Sequence, residues 1–94
     1  MTQEESKSWW VYIIECADQT LYTGITNHLE RRLDAHQEGT AAKYTRNRRP
    51  VTLRYHEQQA DRSTASQREA SIKKMSRQEK LTLIQRGPDT PQVP

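Results

Sequence analysis

Hydrophobic and polar positions change period several times along this chain, and each change marks an element. Residues 9 to 16, Trp-Trp-Val-Tyr-Ile-Ile-Glu-Cys, are aromatic or β-branched and apolar on both alternating faces, which predicts a central strand covered on both sides. A turn around Ala17-Asp18-Gln19-Thr20 leads into a second strand from Leu21 to Ile25, so the pair reads as a hairpin. Thr26 or Asn27 is then positioned to cap a helix from about His28 to Gln37 that stops before Gly39. Residues 40 to 50 read as a basic loop with one helical turn near Ala42. Pro50 admits a third strand with Val51, Leu53 and Tyr55 toward the core and Thr52, Arg54 and His56 outward. Asp61 starts a second long helix through about Met75, and Ser76 with Glu79 forms a capping box for a third that ends at Gly87. The expected architecture is α+β: a three-stranded, mainly antiparallel sheet with the first strand central, flanked by three helices. Residues 9 to 87 form a single domain in this reading, after a flexible N-terminus (1 to 8) and before a disordered tail (88 to 94).

Composition narrows the interior and the partner. Of the 94 residues only 32% are hydrophobic and none is Phe, so the core rests on two Trp, four Tyr and scattered aliphatic side chains. The formal net charge is +3, but it is unevenly spread. The first twenty residues carry Glu4, Glu5, Glu15 and Asp18 against Lys7, whereas Lys43, Arg46, Arg48, Arg49 and Arg54 occur in a stretch without an acid. That asymmetry favours a polyanion on one face. A single cysteine, Cys16, excludes an internal disulfide and a multi-cysteine zinc site. No apolar run is long enough for a membrane span or signal peptide, so no membrane is expected and the cytoplasm is the expected location.

Polar groups that interrupt apolar stripes are the candidates for chemistry. At about 100° per residue, Leu29, Arg32, Leu33 and His36 share one stripe of the first helix and Arg31 points away. An inward guanidinium is costly to desolvate without an anion, either a phosphate gripped by its planar fork or an internal carboxylate. Glu69 falls between Ala65 and Ile72 on the second long helix, with Lys73 at the edge. It can hold a hard cation such as Mg²⁺ or pair with Arg32 or Lys73, and the pattern leaves both open. Tyr12 and Tyr22 are core aromatics or site phenols; they share a face of the sheet only if the hairpin turn has an odd number of residues or a bulge. His36 has a simpler reading as a histidine stabilised by the helix C-terminus. The segment Lys43-Tyr44-Thr45-Arg46-Asn47-Arg48-Arg49 reads as a nucleic-acid-binding loop with a stacking aromatic, or as an ordinary solvated loop.

Taken in order, Val11-Tyr12, Tyr22-Thr23-Gly24, Arg32, His36 and Glu69 resemble the GIY-YIG nuclease domain, and Leu21-Tyr22-Thr23-Gly24-Ile25-Thr26 with Glu30-Arg31-Arg32-Leu33 resembles its stand-alone bacterial YhbQ-type subgroup. The similarity runs from Trp9 to about Ile84. Trp10 stands where the first signature has glycine, Thr23 where the second has an aliphatic residue, and Ile25 where some members place a lysine. The resemblance implies hydrolysis of phosphodiester bonds in DNA, with RNA also open, using one Mg²⁺ or Mn²⁺ ion held by Glu69. Arg32 would grip a phosphate oxygen, Tyr12 ahead of Tyr22 would take the proton of the attacking water, Tyr22 would orient water or phosphate, and His36 would assist. Gly24 would admit close approach of backbone or phosphate. Lys43, Arg46, Arg48, Arg49 and Lys73 would meet the nucleic acid. A non-catalytic nucleic-acid-binding module is the alternative, an adaptor that docks another protein ranks last, and a protein that delivers the substrate is a further expected partner.

Overall fold

A computed structural model describes residues 8–87. The elements are β1 (Trp9–Glu15), β2 (Leu21–Thr26), α1 (Leu29–Glu38), α2 (Lys43–Arg46), β3 (Thr52–Gln59), α3 (Arg62–Lys73) and α4 (Arg77–Arg86). The three strands form one antiparallel sheet in the order β2-β1-β3, so the most apolar strand is central. The expected α+β class and central β1 hold. Three long helices are joined by the short α2, which realises the helical turn expected near Ala42, with Ala42 itself as N-cap. The termini expected to be flexible lie outside the described residues except Ser8, whose hydroxyl accepts a hydrogen bond from the Gln58 amide. Among the described residues no helix is long and apolar enough to cross a membrane.

Strand alternation sorts β1 into two cores. Val11 and Ile13 pack with Tyr55, Ala65 and Ile72 on the face covered by α3, where Met75, Leu83 and Ile84 close the edge. Tyr12, Ile14 and Cys16 pack with Val51, Leu29, Leu33, Leu53 and Tyr22 on the face covered by α1. Burial on both faces explains why residues 11 to 14 lack polar alternation.

The third strand corrects the sequence reading. Tyr55 pairs with Ile13, but Leu53 pairs with Ile14, with a register shift between them. The extra residue, Arg54, is a bulge that breaks the period of two. Val51 and Leu53 therefore serve the α1 face while Tyr55 and Glu57 serve the α3 face, instead of Val51, Leu53 and Tyr55 lying together.

Helix ends follow local chemistry with one exception. Asp61 caps α3 through a reciprocal box with Thr64, and Ser76 and Glu79 form the expected box on α4. Gly39, at φ 84°, ends α1 in the left-handed conformation that glycine adopts without penalty. The exception is the start of α1, where His28 is the N-cap and makes no side-chain cap bond. Thr26 Oγ1 instead accepts from the His28 amide at 3.0 Å, since Asn27 lies one residue and Thr26 two residues before the N-cap position.

Ile72 is fully buried where α3 meets the sheet. Ile72→Ala is expected to lower unfolding free energy by about 2–5 kcal/mol, measured by urea denaturation, with the spread set by how far the cavity collapses.

Candidate functional site

The hairpin decides which side chains meet. Asp18 accepts bonds from the Thr20 amide and hydroxyl, and Gln19 takes a positive φ of 72°. This odd-numbered connection, Cys16 to Thr20, sets Tyr12 opposite Gly24 and Ile14 opposite Tyr22. Directly opposed residues share a face, so both phenols and Gly24 lie on the α1 side. The condition that parity imposed is met by the turn.

Close approach explains Gly24. A Cβ built there would stand 2.5 Å from the Tyr12 hydroxyl oxygen, inside any tolerable contact. The strand can hold Tyr12 in this position only because residue 24 has no side chain.

Across this face lies α1, with Leu29 and Leu33 in the core cluster, Arg32 half-buried, Arg31 exposed and His36 1% exposed. Tyr12 is 2% exposed, and its hydroxyl lies 2.8 Å from His36 Nε2. On the other side of the ring, His36 Nδ1 lies 2.8 Å from Thr45 Oγ1. Tyr22 sets its ring edgewise to His36 at 5.3 Å between centroids and stacks on Tyr44 at 5.8 Å. Arg48 lies 4.0 Å above the Tyr44 ring and pairs with Asp18 at 3.0 Å.

Burial controls the ionisation of the pair. It pushes the Tyr12 phenol far above its ordinary value, with the nearby Tyr22 and Glu69 acting in the same direction and Arg32 opposing them. Burial, reinforced by the Arg32 charge, lowers His36 from 6.5 to about 4. At neutral pH the imidazole is therefore uncharged, and one of its nitrogens must be an acceptor.

Arg32 and Glu69 stand at electrostatic rather than bonding distance from the phenol. Among the described residues Arg32 forms no ion pair, so the internal-carboxylate alternative is not realised. Glu69 pairs with Lys73 at 3.2 Å, the alternative left open for it, with Lys73 largely exposed. A pair one helical turn apart whose lysine is exposed is weak and readily exchanged. Among the described residues no cluster of three His, Cys, Asp or Glu side chains is available for a metal ion. A lone half-buried carboxylate suits only an ion that keeps most of its water and takes phosphate oxygens as ligands, as Mg²⁺ does.

The basic segment is partly occupied with its own backbone. Arg46 Nε donates to Gly39 O, Arg49 to Arg46 O and Gln37 O, and Arg48 to Tyr44 O, while Lys43 extends exposed from α2. Lys73 lies apart from this segment, on α3. Thr45 is the residue that sequence reasoning missed. It is fully buried, yet nothing in a run of polar residues distinguishes it before α2 folds onto α1. Glu57 was missed as well: it is 9% exposed on the opposite face, where Tyr55 and Arg68 donate to it at 2.5 Å and 3.0 Å. That carboxylate is fully occupied and belongs to the core.

Fold and site together define a GIY-YIG catalytic domain: the family model matches residues 8–82, and the chain belongs to this nuclease family of domains. Within the family it is similar to small bacterial UPF0213 proteins. That of Syntrophus aciditrophicus is 53% identical over 81 residues, covering 85% of this chain and 93% of the relative. That of Desulfotalea psychrophila is 49% identical over 83 residues, covering 87% and 76%. Solution NMR structures agree: a UPF0213 protein of Bacillus halodurans superposes with a TM-score of 0.55 at 37% identity over 83% of each chain. A protein of E. faecalis gives 0.57 at 41% identity, covering 85% of this chain and 86% of the other.

Gly24→Ala is expected to force Tyr12 aside, break its bond to His36 and cost about 1–3 kcal/mol, read from urea unfolding and from the His36 ring resonances. The His36 environment also sets a pH dependence. Its folded value is depressed, so the unfolded chain binds the extra proton; the stabilisation is complete above about pH 6.5 and is lost as pH falls toward 4. Unfolding free energy should fall across that window by at most about 1.4 kcal/mol per pH unit, and His36→Gln should flatten the slope.

Proposed function

We propose that this chain is a divalent-metal-dependent endonuclease that hydrolyses phosphodiester bonds of DNA, with RNA a second substrate to be tested. The observation that carries this reading is the buried Tyr12–His36 hydrogen bond, flanked by Tyr22 and by an Arg32 that has no protein anion among the described residues. A half-buried guanidinium without a carboxylate is a site for an anion, and its planar fork matches two phosphate oxygens.

In this reading Arg32 grips a non-bridging oxygen and Tyr22, the less buried phenol, orients the attacking water or the phosphate. Tyr12 takes the proton of that water while its own hydroxyl proton moves toward His36 Nε2, so no free phenolate forms in a site where burial opposes one. The weak basicity of His36 in the free protein fits this sequence. Burial is the main reason the imidazole is a weak base and the Arg32 charge adds to it, so a phosphate that neutralises Arg32 lifts the smaller part of that opposition and strengthens the base to that extent. Glu69 would hold Mg²⁺ or Mn²⁺ after releasing Lys73. When bound, the ion would supply charge neutralisation at the scissile phosphate and at the leaving oxygen. Lys43, Arg46, Arg48, Arg49 and Lys73 would follow the nucleic-acid backbone with salt-dependent affinity.

Two features favour a binding module without catalysis: burial holds the Tyr12 phenol in its protonated form, and Glu69 is engaged by Lys73. The two readings separate on one assay. Wild-type protein is expected to nick DNA with Mg²⁺ and not with EDTA, and Glu69→Gln to lower that rate at least about 100-fold while anisotropy shows unchanged binding. Absence of Mg²⁺-dependent cleavage of single-stranded, duplex and branched DNA and of RNA, with binding intact, selects the binding module.

A further inference from the structure

We propose that Thr45 is a positioning residue that holds His36 in the tautomer protonated on Nδ1, so that Nε2 presents its lone pair to Tyr12. This rests on the nuclease reading for its catalytic consequence, but the tautomer itself follows from placing protons. Three buried groups in a row, Tyr12 Oη, the His36 ring and Thr45 Oγ1, share two contacts of 2.8 Å each. Thr45 has a single hydroxyl proton, and Ala42 O lies 3.3 Å away as an acceptor for it. If Thr45 donates there, its oxygen receives Nδ1–H, Nε2 is free to accept, and the Tyr12 hydroxyl donates to Nε2. Every proton in the chain then has an acceptor. In the opposite direction Thr45 would donate to Nδ1 and Nε2–H to Tyr12. The Tyr12 hydroxyl proton would then have no acceptor among the described residues, in a place that water scarcely reaches. The opposite arrangement leaves a buried donor without a partner and also gives up the bond to Ala42, so it is the costlier of the two.

The direction matters for the reaction. With Nε2 unprotonated, the proton that Tyr12 loses has a destination. As the water oxygen bonds to phosphorus, the water proton passes to Tyr12 Oη and the Tyr12 proton to Nε2, while the bond to the leaving oxygen breaks with its electron pair remaining on that oxygen, which takes a proton from solvent. His36 ends as an imidazolium with Nδ1–H still on Thr45. With the other tautomer Nε2 already carries hydrogen and this path is closed. Thr45 touches neither water nor phosphate in this scheme and acts only through His36. Its place in α2 also puts it inside the basic segment, between Tyr44 and Arg46.

The test is the long-range ¹H–¹⁵N spectrum of the His36 ring at neutral pH, with Thr45→Val and Thr45→Ser, beside Mg²⁺-dependent cleavage kinetics. The wild type should show Nδ1–H alone. Thr45→Val, equal in shape but without the hydroxyl, should move the ring to Nε2–H or to a mixture and lower kcat at least about tenfold with KM unchanged. Thr45→Ser should restore both the tautomer and most of the rate. An Nε2–H ring in the wild type overturns the proposal without any variant, should Thr45→Val fail to fold. It is equally overturned if Thr45→Val keeps Nδ1–H, or if the tautomer changes and kcat does not. Lack of cleavage by the wild type refutes the nuclease reading, whereas the wild-type ring spectrum still passes judgement on the tautomer.

Discussion

The contact on which the site depends is the hydrogen bond between two almost fully buried groups, the Tyr12 phenol and the His36 imidazole. Neither can be dried without a partner, because a buried polar group that loses water and gains nothing costs on the order of 1–3 kcal/mol. Each therefore requires the other at bonding distance, and that demand constrains elements far apart in the chain. The hairpin must turn with odd parity to keep Tyr12 on the α1 face, residue 24 must lack a Cβ, and Thr45 must be drawn into the interior to satisfy the second ring nitrogen.

The sheet separates two kinds of charged side chain, a buried one and a half-buried one. On the α3 face Glu57 is met by Tyr55 and Arg68, and its bonds are complete within the protein. On the α1 face Arg32 has no such counterpart among the described residues. The first arrangement stabilises or specifies the fold; the second leaves binding capacity for an anion from outside. The bulge at Arg54 makes this division, since it lets one strand send Leu53 to the phenolic face and Tyr55 and Glu57 to the other.

The basic segment has two duties that a charge count does not distinguish. Arg46 and Arg49 donate to Gly39 O and Gln37 O and so hold the α2 segment against the end of α1, while Arg48 bonds within that segment to Tyr44 O. That docking presses Tyr44 onto Tyr22 and Thr45 onto His36. An arginine removed from this loop thus alters the site geometry as well as the local field, and a change in nucleic-acid affinity need not be electrostatic alone.

Much was legible in the sequence because it is local. Strand period, helix stripes, the boxes at Asp61 and Ser76, the glycine stop at Gly39 and the inward aim of Arg32 all follow from residues within a turn or two of one another. The likeness to a known domain was legible in a different way, from the order of Tyr12, Tyr22, Gly24, Arg32, His36 and Glu69 along the chain. The pairing of Glu69 with Lys73, one turn apart on α3, is equally local, whereas the face switch at Arg54, the partner of His36 and the burial of Thr45 were decided only by tertiary structure. Each depends on which surfaces meet across the sheet or between α1 and α2. Such contacts join groups brought together by the folded chain, and periodicity along the chain carries no information about what stands on the far side of a face.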